Sequence, residues 1–147
     1  MAGTISAEDK VEVMNLIADY AFRLDTADLD GYVANFAPDG VFDSTGGRFE
    51  GRDAIRAYVG NLLGDRRAGT SSTLRHVMGI PFIQSGGQGE GERCRAETYV
   101  MIPGGTEDGQ IRVQMVGTYT DDIVKVDGRW RFAVRHIRMA LTNASTG

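Results

Sequence analysis

The hydrophobic period of this chain changes once, from three-to-four residues to two, and that change restricts the folds open to it. Over the first third, apolar residues recur at Val13, Met14, Leu16, Ile17, Tyr20, Ala21 and Leu24. These steps define one face of a helix from about residue 7 to 26. Ser6 followed by Ala7-Glu8-Asp9 supplies an N-cap and acidic residues for its first turn. Asp28 caps a second, shorter helix whose apolar side is Leu29, Tyr32, Val33 and Phe36. Pro38-Asp39-Gly40 reads as a turn, Val41-Phe42 as the start of a short strand, and Gly46-Gly47 as a hairpin tip. Gly51-Arg52-Asp53 opens a third helix, with Ile55, Tyr58, Val59, Leu62 and Leu63 on its apolar face.

Residues 65–73 are polar and read as a mobile loop. Beyond them the period is two. Four extended segments are expected at about 74–84, 91–103, 109–126 and 129–142. Gly86-Gly87, a connection from Gly104-Gly105 through Thr106 to Gly109, and Asp127-Gly128 separate them as turns. Helices first and strands afterwards indicate α+β rather than alternating α/β. Four long strands joined by short turns make an antiparallel meander. Three helices over the concave face of such a strongly curved sheet give a cone-shaped α+β barrel with an interior chamber. At 147 residues the chain fits one domain spanning 1–147.

Charge and composition exclude several function classes. The net charge of −4, with no basic run longer than Arg66-Arg67, is not that of a nucleic-acid surface. The longest apolar stretch falls far short of the roughly 20 residues that a membrane-spanning helix needs. A polar, acidic start is not a secretory signal. A single cysteine, Cys94, forms no internal disulfide, so the expected compartment is the cytoplasm. With two histidines, one cysteine and no HxH or CxxC spacing, no metal site is expected. No phosphate-loop, dinucleotide or nucleophile-elbow motif occurs, so no cofactor is expected either.

Polar residues on the apolar stripes are the candidate site. Ile17, Ala21 and Asp25 lie four apart on one line of the first helix, inside its apolar face. Burial and the negative end of the helix dipole both disfavour an ionised carboxylate there, which makes Asp25 a stronger base. The alternative is an exposed residue before the Thr26-Ala27-Asp28 turn. Tyr20 is on the same broad face, about one turn earlier. In Leu74-Arg75-His76-Val77-Met78-Gly79-Ile80, alternation places Leu74, His76, Met78 and Ile80 on one face, so His76 points inward. An imidazole there is a candidate acid or base. Its alternative is a core histidine satisfied by one hydrogen bond. His136 shares strand parity with Trp130, Phe132 and Val134 and is given a structural or rim role. Phe42, Tyr58, Met78, Tyr99, Met115 and Phe132 are expected to line the chamber as substrate-binding residues. Phe22, Phe82 and Met101 are further candidates for core or lining.

These residues also carry a resemblance. The chain resembles the SnoaL-like branch of the nuclear transport factor 2-like superfamily over essentially its whole length. The motifs are Tyr20-Ala-Phe-Arg-Leu-Asp25, Asp28-Leu-Asp-Gly-Tyr-Val-Ala-Asn-Phe-Ala-Pro-Asp-Gly-Val-Phe42, Gly51-Arg-Asp-Ala-Ile55, Arg75-His76, Gly117-Thr-Tyr-Thr-Asp121 and Asp127-Gly-Arg-Trp-Arg-Phe132. Within that branch it is similar to bile-acid 7α-dehydratase and scytalone dehydratase, which surround an apolar pocket with a tyrosine, an aspartate and a histidine. The resemblance implies that Tyr20, Asp25 and His76 are catalytic and that no metal or cofactor is used. Lindane dehydrochlorinase resembles the chain through its Asp–His dyad, but its helix lysine has Tyr20 in its place here. Scytalone dehydratase has a second catalytic histidine, and no histidine stands between residues 77 and 135. The implied function is a lyase or isomerase of dehydratase type, acting on a small apolar hydroxy- or keto-compound such as a steroid, polyketide or aromatic. Alternatives are a cyclase-like enzyme using Asp25 alone, a non-catalytic carrier or dimerisation module, and a partner like the β subunit of a ring-hydroxylating dioxygenase. The resemblance also implies a homodimer or higher homo-oligomer.

Overall fold

The change of period marks the passage from helix to sheet. The structure, a computed structural model, describes residues 4–68, 73–87 and 89–142. In chain order the elements are α1 (Ala7–Asp25), α2 (Leu29–Ala34), β1 (Phe36–Ser44), β2 (Gly47–Glu50), α3 (Arg52–Ala68), β3 (Val77–Met78), β4 (Phe82–Ser85), β5 (Arg93–Gly105), β6 (Ile111–Val126) and β7 (Arg129–Thr142). Three helices pack on a curved, unclosed sheet of seven strands in the order β2-β1-β7-β6-β5-β3, with β4 also on β5. The sheet is mixed because β1 and β7 run parallel, while every other pair is antiparallel. This is the α+β cone expected from the sequence. Among the described residues no helix is long and apolar enough to cross a membrane.

Local signals explain α1. The Ser6 hydroxyl accepts the Asp9 N–H at 3.0 Å and caps the helix. At the far end Asp28 N–H donates to the Arg23 carbonyl and Ala27 N–H to the Leu24 carbonyl, with Ala27 at a φ of +58°. That paired closure ends the helix directly after Asp25. The inner face, Val13, Leu16, Ile17, Tyr20, Ala21 and Leu24, is buried against the sheet.

Several boundaries differ from expectation, for identifiable reasons. Phe36 opens β1 instead of closing α2, and it pairs with Phe132. Pro38-Asp39-Gly40 lies inside β1 as a bulge, because Phe36 pairs with Phe132 while Val41 pairs with Val134. A Cβ on Gly40 would come within 2.9 Å of both the Ala37 and the Phe132 carbonyl oxygens, so this close approach needs glycine. The segment expected as one strand at 74–84 is split by Gly79-Ile80-Pro81 into β3 and β4. Gly104 and Gly105 remain in β5, paired with Arg112 and Ile111, and the turn falls after them. Of the loop expected at 65–73, α3 takes 65–68, and 69–72 lie outside the described residues. The Asp127-Gly128 turn is as expected, with φ of +50° and +77°.

One irregularity governs the interior. Ile123 pairs with Phe132 and Asp122 with Val134, so Ala133 is an extra residue in β7. Trp130 and Phe132 are buried before it, and Arg135 and Ile137 after it. The bulge therefore turns Arg135 inward and leaves His136 outside. The parity assigned to Val134 and His136 from the sequence ends at Phe132.

Candidate active site

Asp25 and His76 meet. His76 Nδ1 is 2.6 Å from Asp25 Oδ1, and the His76 backbone N–H donates to Asp25 Oδ2 at 2.9 Å. Their side chains are 12% and 4% exposed respectively, so the contact is shielded from water. Asp25 is the last helical residue and lies on the inner face of α1. His76 directly precedes β3, where Leu74 and Met78 are partly buried, Arg75 and Val77 are exposed, and His76 itself is buried. The expected alternation holds through Met78 and fails at Ile80, which is 90% exposed where the strand has ended.

This arrangement sets the state of the ring. A carboxylate only accepts hydrogen bonds, so Nδ1 carries the proton shared with Asp25. Nε2 then presents its lone pair, and among the described residues it has no hydrogen-bond partner. The second bond, from the backbone, fixes the carboxylate plane and with it the ring direction. Asp25 is thus not an exposed helix end.

Tyr20 belongs to a second group on the same face of α1, five residues and about 7.5 Å of helix axis from Asp25. It is fully buried. The Tyr32 hydroxyl donates to the Tyr20 hydroxyl at 3.0 Å, and the Tyr119 hydroxyl lies 3.4 Å from it. Burial pushes the Tyr20 and Tyr119 phenols well above their usual range, so both stay protonated. Because Tyr32 donates to Tyr20, the Tyr20 proton is left to point elsewhere. The 3.4 Å gap to Tyr119 is long for a hydroxyl pair, so that proton is the least firmly held of the three.

Arg135, which the sequence reading passed over, completes this group. Its guanidinium carbon lies 4.0 Å from the Tyr20 ring centre, 3.8 Å from Tyr119 and 4.2 Å from Phe132. Its side chain and that of Asp121 are both 0% exposed, with Nε 3.1 Å from Asp121 Oδ1. That distance is an ion pair but not a well-aligned hydrogen bond, and Nε, Nη1 and Nη2 all lack a hydrogen-bond acceptor. Desolvation raises Asp121 to about 7, against the pull of Arg135 in the other direction. The Thr98 hydroxyl is also buried without a partner.

The expected lining residues divide. Phe132 and Phe42 are buried, and both touch Phe36, at ring distances of 5.5 and 6.0 Å. Tyr58 stacks on Phe49 at 4.0 Å, and the Ser44 hydroxyl donates to its oxygen. Met78 and Met115 are partly buried against the core. Tyr99 does not face the interior and is 77% exposed. In β5 the buried residues are Cys94, Ala96, Thr98, Val100, Ile102 and Gly104, so every odd position, Tyr99 included, lies on the other face. Phe22, Phe82 and Met101 are likewise exposed. Regular alternation from Cys94 was the available signal for Tyr99. No such signal existed for Arg135, because the bulge breaks the count.

Comparison with known proteins agrees with this architecture. The SnoaL-like domain model matches residues 6–136. No functionally curated protein matches the chain in sequence. A cystatin-like-fold protein from Nostoc punctiforme superposes with a TM-score of 0.77 at 25% identity, covering 93% of this chain and 95% of that one. The protein Aln2 from a Streptomyces species gives 0.78 at 25% identity, covering 93% and 94%. A protein from Novosphingobium aromaticivorans, provisionally named a scytalone dehydratase, gives 0.72 at 21% identity, covering 92% and 86%. A matched span from the α1 cap to the outer side of β7, on this three-helix cone, makes the chain a member of the SnoaL-like domain family.

Proposed function

We propose that the protein is a cofactor-independent acid/base lyase or isomerase of dehydratase type, acting as one domain on a small apolar hydroxy- or keto-compound. The observation that carries this reading is the two-point hold of Asp25 on His76, on backbone and ring together. A core histidine needs one partner. Two bonds from one carboxylate, with Nε2 left open, prepare a base.

His76 Nε2 takes a proton from the carbon beside a substrate carbonyl, and Asp25 stabilises the imidazolium that results. Tyr20 donates its hydrogen bond to the carbonyl oxygen, where negative charge develops. The electron pair from the broken C–H bond forms the new double bond. The C–O bond to a β-hydroxyl breaks, and His76 returns its proton to that oxygen as water leaves. In the isomerase variant the proton returns to a different carbon. A screen of hydroxy-ketones, steroids and aromatic polyketides, followed by His76→Ala on the substrate found, tests the proposal. Full turnover by a folded His76→Ala protein sinks it. Turnover lost in Asp25→Asn but kept in His76→Ala assigns the Asp25-only mechanism. Ligand binding with no chemical change assigns a carrier.

A homodimer joined through the outer sheet face is the second proposal. Val77, Phe82, Tyr99 and Met101 are large apolar residues exposed on neighbouring strands. Sedimentation of the wild type against Tyr99→Asp measures it. A monomeric wild type removes it.

A further inference from the structure

Two arginines of the β6–β7 hairpin, Arg129 exposed and Arg131 half-buried, face one groove beside α1. The groove holds about 590 Å³ between α1, the end of α2 and that hairpin. Its walls include Glu12, Asp19, Arg23, Asn35, Arg129 and Arg131. Asp19 is already engaged by Arg23 at 3.1 Å, and Arg23 also binds Asp28 at 2.7 Å. Among the described residues no carboxylate pairs with Arg129 or Arg131. Arg131 is partly desolvated and lies in the field of Arg129 and Arg52, and both effects press its guanidinium below the usual arginine range against the smaller opposing pull of Asp19. Arg52 is held in place by two hydrogen bonds to the Phe36 carbonyl at 2.6 and 3.0 Å and keeps its positive charge there. Asn35 adds an independent sign. It is 3% exposed, lines the groove, and its amide nitrogen is buried without an acceptor.

Holding like charges close together in a half-buried place is unfavourable unless an anion joins them. In a chain of net charge −4 the concentration is local, not a consequence of composition. We propose that this groove binds the phosphoryl group of a small molecule, with Arg129 and Arg131 supplying charge and Asn35 a hydrogen bond. Guanidinium groups match such oxygens in geometry as well as charge. The site lies on the outer side of α1 and is separate from the Asp25–His76 dyad. Glu12, also on the wall and without a partner among the described residues, opposes the anion and limits its affinity.

Calorimetric titration of the full chain with inorganic phosphate and with phenyl phosphate, at fixed low ionic strength, tests this. Saturable binding of either probe is expected. Arg131→Gln should weaken it at least about tenfold, the effect of losing one charge-assisted contact. Glu12→Gln should tighten it about threefold, and Arg93→Gln, on another surface, should leave it unchanged. Tighter binding of phenyl phosphate identifies an organic phosphate as the natural ligand, and equal binding identifies the free anion. Absence of saturation up to about 10 mM for both probes overturns the proposal. So does equal weakening by Arg131→Gln and Arg93→Gln, which would be general charge screening.

Discussion

The interior places two pairs, each of a carboxyl group and a nitrogen base, on one sheet-and-helix frame and holds them in opposite ways. Asp25 and His76 are joined by directional bonds of 2.6 and 2.9 Å. Arg135 and Asp121 are completely buried, yet the arginine is held mainly by the faces of three rings. Directional bonds fix where a proton sits, which is what a base requires. Ring faces hold a charge without consuming its donors, at the cost of leaving those donors unsatisfied. The first pair is therefore expected to govern rate, and the second to govern stability.

The strongest test of that division is at the dyad. On the substrate identified by screening, His76→Ala and Asp25→Asn should each lower kcat by about 10²–10⁴-fold. Thermal melting of His76→Ala should show a loss of only about 1–2 kcal/mol. A collapse of the fold in that variant would break the contrast. Next is Arg135→Met, which leaves a buried acid without its partner and should cost about 3–5 kcal/mol in denaturant unfolding. An unchanged midpoint would show that the ring cage is not structural. Tyr32→Phe removes one buried hydrogen bond to Tyr20 and should cost about 1 kcal/mol. The smallest effect is a slope. Because Asp121 is raised from 3.8 to about 7, the folded protein holds its proton where the unfolded chain has lost it. That contribution is complete below about 4 and disappears as pH rises through 7. Asp121→Asn should flatten this decline in melting temperature, and an identical slope in both proteins would refute the assignment.

What the sequence disclosed follows the same line. Helix periodicity and a four-residue step from Ala21 placed Asp25 inside, because α1 is regular from its Ser6 cap to its Ala27 closure. Two-residue alternation placed His76 inside, because the count from Leu74 to Met78 is unbroken. β7 was expected at 129–142 and occupies those residues. The failures fall where regularity fails. Pro38-Asp39-Gly40 looks like a turn but is absorbed as a bulge, since β1 can run parallel to β7 only by discarding those residues from the register. Tyr99 was placed by residue type instead of strand parity, and parity was right. Tyr119 and Asp121 share inward parity with Ile123 and were within reach of the same count. The contact between Asp25 and His76, 51 residues apart, came from family resemblance and not from any local pattern.

The spare residue in β7 has a wider consequence. Its neighbours encode two alternative walls, one presenting Arg135 and Ile137 and the other Val134 and His136, and the extra residue at Ala133 selects the first. Pairing phase, not amino-acid content, thus decides whether this part of the interior holds a permanent cation or a titratable ring. Two relatives with nearly identical late strands could hold opposite chemistries inside, distinguishable only by counting residues between Phe132 and the next buried side chain.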